Sequence, residues 1–351
     1  MSTLLTVAIA LLVFGILIFI HEFGHYIFAR IFKVKINQFS IGMGPKLLWY
    51  DSKKTGIRYS LSMLPIGGYV AMAGEDDESD DPNSFDKKPA WQRFIITAAG
   101  AAVNMIAGFL AIAILTTMIP LGNTTVTRFA DVDSGDSFSA TSNAQGKLEV
   151  GDDIIRVDGK RVWTHDALSY EIMRKGINPV DITVIRDGKT VTLEDVVFPV
   201  TEDSGQKFGV RDFAIGYDEK SVGGVISHSW HRACLTVRMC WEAIYDLFTG
   251  RFTFAAVSGP VGISSAIGDA VREDIVSVLH IVGIISINLG FMNLLPIPAL
   301  DGGRLLTILA EMITGKRIPK KVEGMINTVG LMALLLLSFV IMIKDVIQLI
   351  I

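Results

Sequence analysis

Four stretches of this chain are long and apolar enough to dictate where they can sit: Leu4 to Phe32, Phe94 to Ile119, Ile275 to Leu295, and Val329 to Ile350. Crossing the hydrocarbon core of a bilayer takes about 20 residues of helix, and each stretch can supply that. The last of them, "VGLMALLLLSFVIMIKDVIQLI", meets its first interior charge only at Lys344. Half of the 351 residues are hydrophobic and the mean hydropathy is +0.45, which favours a membrane class before any motif is read. The chain therefore reads as a polytopic α-helical membrane protein with four transmembrane helices. Its amino terminus has neither the basic lead nor the cleavage site of a secretory signal, so the first span reads as retained.

A fifth candidate, "VISHSWHRACLTVRMCWEAIYDLF", contains His228, His231, Arg232, Arg238, Glu242 and Asp246. Those groups make a crossing too costly. Its mixture of Trp230, Leu235, Trp241 and cations fits an amphipathic helix lying at a surface or on a neighbour. Cys234 and Cys240 fall in the same stretch, about 9 Å apart along a helix axis, which is beyond disulfide reach. The net charge of −4 gives no basic footprint, so no nucleic-acid partner is expected.

Four spans place both termini on one side. The loop between the first two carries Lys33, Lys35, Lys46, Lys53, Lys54, Arg58, Lys87 and Lys88, and the loop between the last two carries Arg304, Lys316, Arg317, Lys320 and Lys321. By the positive-inside rule both loops face the cytoplasm and the termini lie outside. The acidic run from Glu75 to Asp81 does not alter this, because acidic residues weigh little in that rule.

The first cytoplasmic loop has strand character. "INQFSIGMGPKLLWYD" and "GIRYSLSMLPIGGYVAMAG" alternate apolar and polar residues around the turn "SKKTG". Gly42, Gly44, Gly67 and Gly68 mark either hairpin punctuation or places where backbone must approach something closely. Beyond the second span, "DDIIRVDGKRVW" and "VDITVIRDGKTVTLEDVVF" each hold a strand, an Asp-Gly turn and a return strand. Between them "THDALSYEIMRKG" reads as a short helix capped by Thr164 and closed at Gly176. This arrangement, from about Val126 to Val200, resembles a bacterial PDZ domain, although "SFSATSNAQGKLEVGD" replaces the usual compact small-residue loop. Such a domain would take a chain end or an extended segment as an added strand.

The chemistry lies in His21, Glu22 and His25, an H-E-x-x-H pattern near the end of the first span. On a helix i and i+4 share a face, so both imidazoles can reach one metal. Glu22 sits about 100° around the axis from His21 and can point at a water beside that metal instead. Zinc with three protein ligands and one open position activates such a water, and a neighbouring glutamate can move its proton. The extended pattern H-E-x-x-H-x-x-G-x-x-H, which would place a third histidine ten residues after His21, fails here, because Phe28 and Ile31 stand at its glycine and histidine positions. The best candidate is Asp301, just after the third span, where Pro296 and Pro298 break the helix. Spans one and three run in the same direction, so His21, His25 and Asp301 all arrive near one face. Taken alone, Asp301 could equally be a cap or turn residue before Gly302-Gly303. Asn293, in the apolar run before it, could bond a neighbouring helix or serve as an amide donor to substrate backbone or an oxyanion.

"HEFGH" in the first span and "NLLPIPALDGG" after the third, with a PDZ-like stretch between spans two and three, resemble the site-2 protease family of intramembrane zinc metalloproteases, in particular the bacterial regulator-of-sigma-E protease type. "FSIGMGPKL", "LPIGGYVAMAGE", "FDKKPAWQRFIITAAG" running on to Asn104, and "SGPVGI" extend the resemblance over essentially the whole chain. Two departures stand out: Ala101 follows Gly100 where a proline is common, and the length allows one PDZ domain instead of two. The resemblance implies His21, His25 and Asp301 as zinc ligands, Glu22 as catalytic base and Asn293 as a substrate-binding residue. It also implies a cytoplasmic membrane-associated β-hairpin or sheet whose glycine-bordered strands (Gly42, Gly44, Gly67, Gly68) help present an unwound substrate. The expected organisation is span one with HExxH (1–32), hairpin loop (33–91), span two (92–119) and extracytoplasmic PDZ domain (126–200). An amphipathic helix with linker (201–274), span three with the LDG motif (275–301), a cytoplasmic loop (302–328) and span four (329–351) follow. Expected partners are the lipid bilayer and single-span membrane proteins, such as anti-sigma factors or remnant signal peptides, in a bacterial cytoplasmic membrane. The competing readings are a non-catalytic PDZ-bearing membrane adaptor and a metal-dependent hydrolase of non-peptide substrates.

Overall fold

The computed structural model describes residues 3–75, 79–129, 147–203, 206–251 and 257–350. The middle of the acidic run (76–78) and most of the atypical opening of the PDZ-like stretch (137–146) lie outside the described residues. In chain order the elements are α1 (Thr3–Ile31), β1 (Ile36–Asp51), β2 (Arg58–Met72), α2 (Ala90–Met118), β3 (Leu121–Phe129), β4 (Asp153–Val157), β5 (Lys160–Arg161) and α3 (His165–Lys175). They continue with β6 (Val180–Arg186), β7 (Lys189–Val196), β8 (Val200–Asp203), β9 (Gln206–Gly209), β10 (Phe213–Asp218), α4 (Val222–Phe248), α5 (Pro260–Glu273), α6 (Ile275–Leu294), α7 (Asp301–Thr314) and α8 (Lys320–Ile350). Two compact units divide the chain, Met1–Ala111 with Val257–Ile351, and Ile112–Ala256.

Among the described residues four helices are long and apolar enough to cross a membrane, within α1, α2, α6 and α8. In the first unit, contacts fix their directions. His21 meets Asn104 while His25 meets Ile96, so α1 and α2 are antiparallel. Ser286 bonds the Asn104 carbonyl, and a Cβ at Gly290 would touch Ala101 and Met105 while one at Gly108 would touch Gly283 and Ile287, so α6 is antiparallel to α2. The ends of α1 and α6 therefore reach the same level. At the opposite end, the buried carboxylate of Asp345 on α8 accepts hydrogen bonds from the Gly259 and Gly262 amides, 2.9 and 3.1 Å away. It closes the free N–H groups that every helix start exposes, here those of α5.

After α6 the chain turns through Pro296 and Pro298, with Ala299 in the left-handed region at φ 73°, and starts α7 at Asp301. Within the inter-span segment 302–328, read from the sequence as a loop, α7 occupies the first half. Gly302-Gly303 reads locally as a turn, yet it forms the first turn of a helix packed hard on the preceding backbone. A Cβ at Gly302 would stand 1.9 Å from the Leu295 carbonyl oxygen, so only glycine lets the helix begin there. Leu305 and Ile308 then turn inward. Charged side chains hold α7 and the start of α8: Arg93 pairs with Glu311 near the far end of α7 at 2.5 Å, Arg304 in its first turn pairs with Glu75, and Lys320 at the start of α8 pairs with Asp86 at 3.5 Å. The expected linker within 201–274 likewise contains β8 to β10 and α5.

β1 and β2 form an antiparallel hairpin with several register shifts. Gly42, Gly44 and Gly67 take φ values of 82°, 90° and 86° at or near those shifts, conformations that carry a heavy penalty for other residues. The base of the hairpin shares a core with the end of α1, through Ala29, Val34, Phe39, Val70 and Ile96.

The second unit centres on a six-stranded sheet of order β10-β3-β4-β6-β7, with β5 on β4. The sheet starts at Leu121 and ends at Asp218, beyond the 126–200 stretch read from the sequence. The added edge strand β10 joins β3 across some ninety residues of chain, a pairing that local pattern does not reveal. Asp158-Gly159 and Asp187-Gly188 both have positive φ at both positions, as tight hairpin turns require. Thr164 caps α3 by accepting from the Ala167 amide at 3.4 Å, and Gly176 closes it. Leu168 and Ile172 pack from α3 on Val126, Ile154, Ile182 and Val184.

Helix α4 carries the polar residues that argued against a fifth span. Its Arg232 pairs with Asp166, Arg238 with Glu171, and Glu242 with Lys160 and Arg174. Val222, Ile226, Trp230, Trp241, Tyr245 and Phe248 stay exposed.

Candidate metal centre

Three side-chain atoms converge where α1, α2 and the start of α7 meet. His21 Nε2 and His25 Nε2 lie 3.2 Å apart, and Asp301 Oδ2 stands 3.1 Å from the first and 3.2 Å from the second. The imidazoles are one helical turn apart, as the i, i+4 spacing demands, and both are buried. Asp301 Oδ2 is itself buried and accepts no well-directed hydrogen bond.

This donor set fits a metal ion. His25 Nδ1 lies 2.8 Å from the Ile96 carbonyl oxygen, which can only accept. Nδ1 therefore carries a hydrogen, and in the neutral ring Nε2 offers a lone pair. That lone pair faces a second imidazole nitrogen and a carboxylate oxygen, an electron-rich triangle that a cation would complete. Ligands about 2.0–2.1 Å from zinc in a tetrahedron stand roughly 3.3–3.4 Å from one another, close to the separations observed. Two histidines and one carboxylate are also a donor set that catalytic zinc uses while keeping one position open.

Glu22 follows His21 on α1 and is half-buried. A Cβ built on Gly68 would lie 3.2 Å from Glu22 Cγ and 2.9 Å from the Ser40 carbonyl oxygen, so β2 passes against this side chain with no space for a larger residue. Of the four glycines singled out in the sequence, Gly68 is the one found against Glu22, and Gly67 packs on the Met43 side chain. Gly42 and Gly44 shape the hairpin. Asn293 is half-buried on α6, and its side chain makes no hydrogen bond among the described residues.

Helix α2 supplies residues to which sequence reasoning assigned no role. Gly24 and Gly100 mark the crossing of α1 and α2. A Cβ at Gly24 would lie 2.5 Å from the Ala99 carbonyl oxygen, and one at Gly100 would lie 2.3 Å from His25 Nε2 and 2.8 Å from His21 Cε1. Four residues to either side of Gly100, the Ile96 carbonyl meets His25 and the Asn104 amide lies 3.4 Å from His21 Nδ1. A lone Asn in an apolar span was the available signal, the one that drew attention to Asn293.

The geometry defines a multi-pass membrane protein with a three-donor metal site set at the end of its first span. A sequence model of peptidase family M50 matches residues 9–337. A Clostridium acetobutylicum protein that carries the name of a zinc metalloprotease is 34% identical over 347 residues, covering 97% of each chain. A Fusobacterium nucleatum protein of like name is 33% identical, covering 97% of this chain and 98% of its own. RasP, the regulator of sigma-W protease of Bacillus subtilis, is 26% identical, again covering 97% of this chain and 98% of its own. The chain thus belongs to peptidase family M50, the site-2 proteases, and is a zinc metalloprotease.

Proposed function

We propose that this protein is an intramembrane endopeptidase that cleaves single-span membrane proteins, with His21, His25 and Asp301 as zinc ligands and Glu22 as general base. The observation that carries the reading is the convergence of three donor atoms 3.1–3.2 Å apart beside Glu22. Zinc held there supplies Lewis acidity and lowers the pKa of an attacking water to about 7. Glu22 takes one proton from that water as its oxygen adds to the scissile carbonyl carbon. It returns the proton to the amine nitrogen as the carbon–nitrogen bond breaks. The close passage of β2 at Gly68, where a Cβ would lie 3.2 Å from Glu22 Cγ, holds the Glu22 side chain in place for both transfers.

A peptide bond inside a helix is sterically screened, so the substrate must be extended before attack. The hairpin passing Glu22 supports a role for β2 in presenting that strand, with Gly67 and Gly68 leaving space for it and Gly42 and Gly44 shaping the opposite strand. Asn293 is assigned as an amide donor to the substrate backbone. The printed role of the Bacillus relative favours signalling membrane proteins such as anti-sigma factors, with remnant signal peptides as a further class. The sheet of the second unit, centred on 126–200, is read as a PDZ domain that takes a chain end or extended segment. The distribution of Lys and Arg favours that domain and both termini lying outside a bacterial cytoplasmic membrane, with the active site near its cytoplasmic face.

Glu22→Gln tests the mechanism. It should keep zinc while lowering cleavage of a single-span reporter by at least roughly 100-fold, the scale of a lost general base. Cleavage at the wild-type rate would refute the assignment. A non-catalytic adaptor would show no cleavage even in the wild-type protein.

A further inference from the structure

Asn104 is fully buried in α2, and its surroundings leave its chemistry unfinished. As placed, its amide nitrogen lies 3.4 Å from His21 Nδ1, while its amide oxygen has no hydrogen-bond partner. A donor aimed at Nδ1 would require that nitrogen to be bare and Nε2 to carry the proton. Nε2, however, is the atom that faces Asp301 and His25 at 3.1 and 3.2 Å. A protonated Nε2 cannot bind a cation. For His21 to offer its Nε2 lone pair, Nδ1 must hold the hydrogen and donate it to an acceptor.

The two ends of a carboxamide have nearly the same shape, and which is oxygen follows from the hydrogen-bond network. Exchanging them puts the Asn104 oxygen opposite His21 Nδ1–H without altering the packing. The exchange breaks no hydrogen bond to the oxygen, because no donor reaches it where it now stands. His25 has the corresponding arrangement, with its Nδ1–H on the Ile96 carbonyl at 2.8 Å. Ile96, Gly100 and Asn104 recur every four residues and so share one face of α2. That face runs antiparallel to His25 and His21. One acceptor meets each imidazole, and the glycine between them leaves space for both rings.

We infer that Asn104 is a positioning residue for the metal centre: its side-chain oxygen accepts from His21 Nδ1–H and fixes the tautomer in which Nε2 binds zinc. The inference rests on the reading of His21 as a zinc ligand. The Ser286 hydroxyl, which donates to the Asn104 backbone carbonyl at 2.8 Å, holds α2 at the required height from the other side. Loss of such an outer hydrogen bond to a metal-binding histidine typically costs about 10- to 100-fold in metal affinity.

The test is zinc affinity of the full-length protein in detergent, by competition with a chromophoric chelator. Asn104→Leu, which has similar bulk and no acceptor, should bind zinc about 10- to 100-fold more weakly. Asn104→Asp, which is an acceptor only, should return to near the wild-type affinity. Ring-nitrogen NMR of the histidine-labelled full-length protein stripped of zinc should find the His21 proton already on Nδ1, where no metal dictates the tautomer, a readout that a merely structural role would not fix. Wild-type affinity in Asn104→Leu, or a proton on Nε2 of His21 in the zinc-stripped protein, would overturn the inference while leaving the ligand set intact. Retention of full affinity in His21→Ala would instead remove the ligand reading itself. The NMR measurement decides the matter even if the leucine variant fails to fold.

Discussion

Replacing Gly100 by alanine puts one methyl group where the structure has no room. Its carbon would lie 2.3 Å from His25 Nε2, 2.7 Å from His25 Cε1 and 2.8 Å from His21 Cε1. Ordinary contact begins near 3.4 Å, so the rings or the α2 backbone must separate by roughly 1 Å. Metal sites tolerate ligand displacements of only about 0.2 Å. Retreat of α2 is blocked on the other face, where Gly290 lies against Ala101 and Met105. Overpacking of this kind costs about 1–3 kcal/mol, and if the whole cost falls on the metal-bound state, zinc affinity drops roughly 5- to 150-fold. The assay is chelator competition on solubilised protein, run beside Ala102→Val, which changes volume on the exposed face of the same helix. Gly100→Ala should weaken zinc binding and Ala102→Val should not. Binding by Gly100→Ala within twofold of wild type would refute the claim that α2 and the histidines are packed to contact.

Gly68→Ala should separate chemistry from metal binding, because its methyl group meets Glu22 Cγ and the Ser40 carbonyl and no ligand atom. Zinc content should hold while cleavage falls, and parallel loss of both would count against the placement of β2. Asp345→Ala leaves the Gly259 and Gly262 amides without their acceptor. It should cost about 1–3 kcal/mol, seen as a lower thermal midpoint that Asp345→Asn partly restores. In the second unit, burial raises the Glu242 carboxyl, but hydrogen bonds from Lys160 and Tyr170 and the charges of Arg238 and Arg174 more than reverse this and hold it below its ordinary 4.5. The contribution of that carboxylate is therefore complete above pH 4.5 and fades as pH falls through the lower folded value. Burial pushes the partner Tyr170 phenol up to about 12, so its contribution is complete below pH 10 and lost between 10 and 12. Near-UV dichroism of the full-length protein should show α4 loosening outside this window, and Glu242→Gln should flatten the acid limb. An acid limb unchanged in that variant would exclude the network as its source.

What the sequence disclosed of the site follows from two regularities that survive folding. An i, i+4 pair on a helix needs no tertiary information, and the direction of a span is settled by counting spans. Together they place His21, His25 and Asp301 at one level. The support from α2 depends on which residue of one helix faces which residue of another, and that register is set by the close crossing at Gly24 and Gly100. Asn104 and Asn293 show the limit well. Both are lone amides in apolar runs and both present the same local signal. Only packing distinguishes Asn104, wholly buried against His21, from Asn293, half-buried with no side-chain hydrogen bond among the described residues. Helix α7 was concealed by a similar ambiguity, since a glycine pair suits a turn as readily as a helix start pressed on backbone.

The same packing gives α2 a part that neither metal motif could announce. The Glu-bearing helix α7, which begins at the candidate ligand Asp301, is held at its other end by Arg93 at the start of α2, through Glu311 at 2.5 Å. Further along α2, the Ile96 carbonyl and Asn104 meet the two imidazoles. One rigid helix thus touches both halves of the donor set, which the sequence separates by 276 residues, the interval from His25 to Asp301. Polar atoms at membrane depth are tolerated only when they are paired inside the protein. A metal centre built on α1 alone would leave four imidazole nitrogens and a glutamate seeking partners in hydrocarbon. Antiparallel contact with α2 satisfies the outward-facing nitrogens and leaves the inward-facing ones for the metal, so the step that makes the span tolerable also prepares the site.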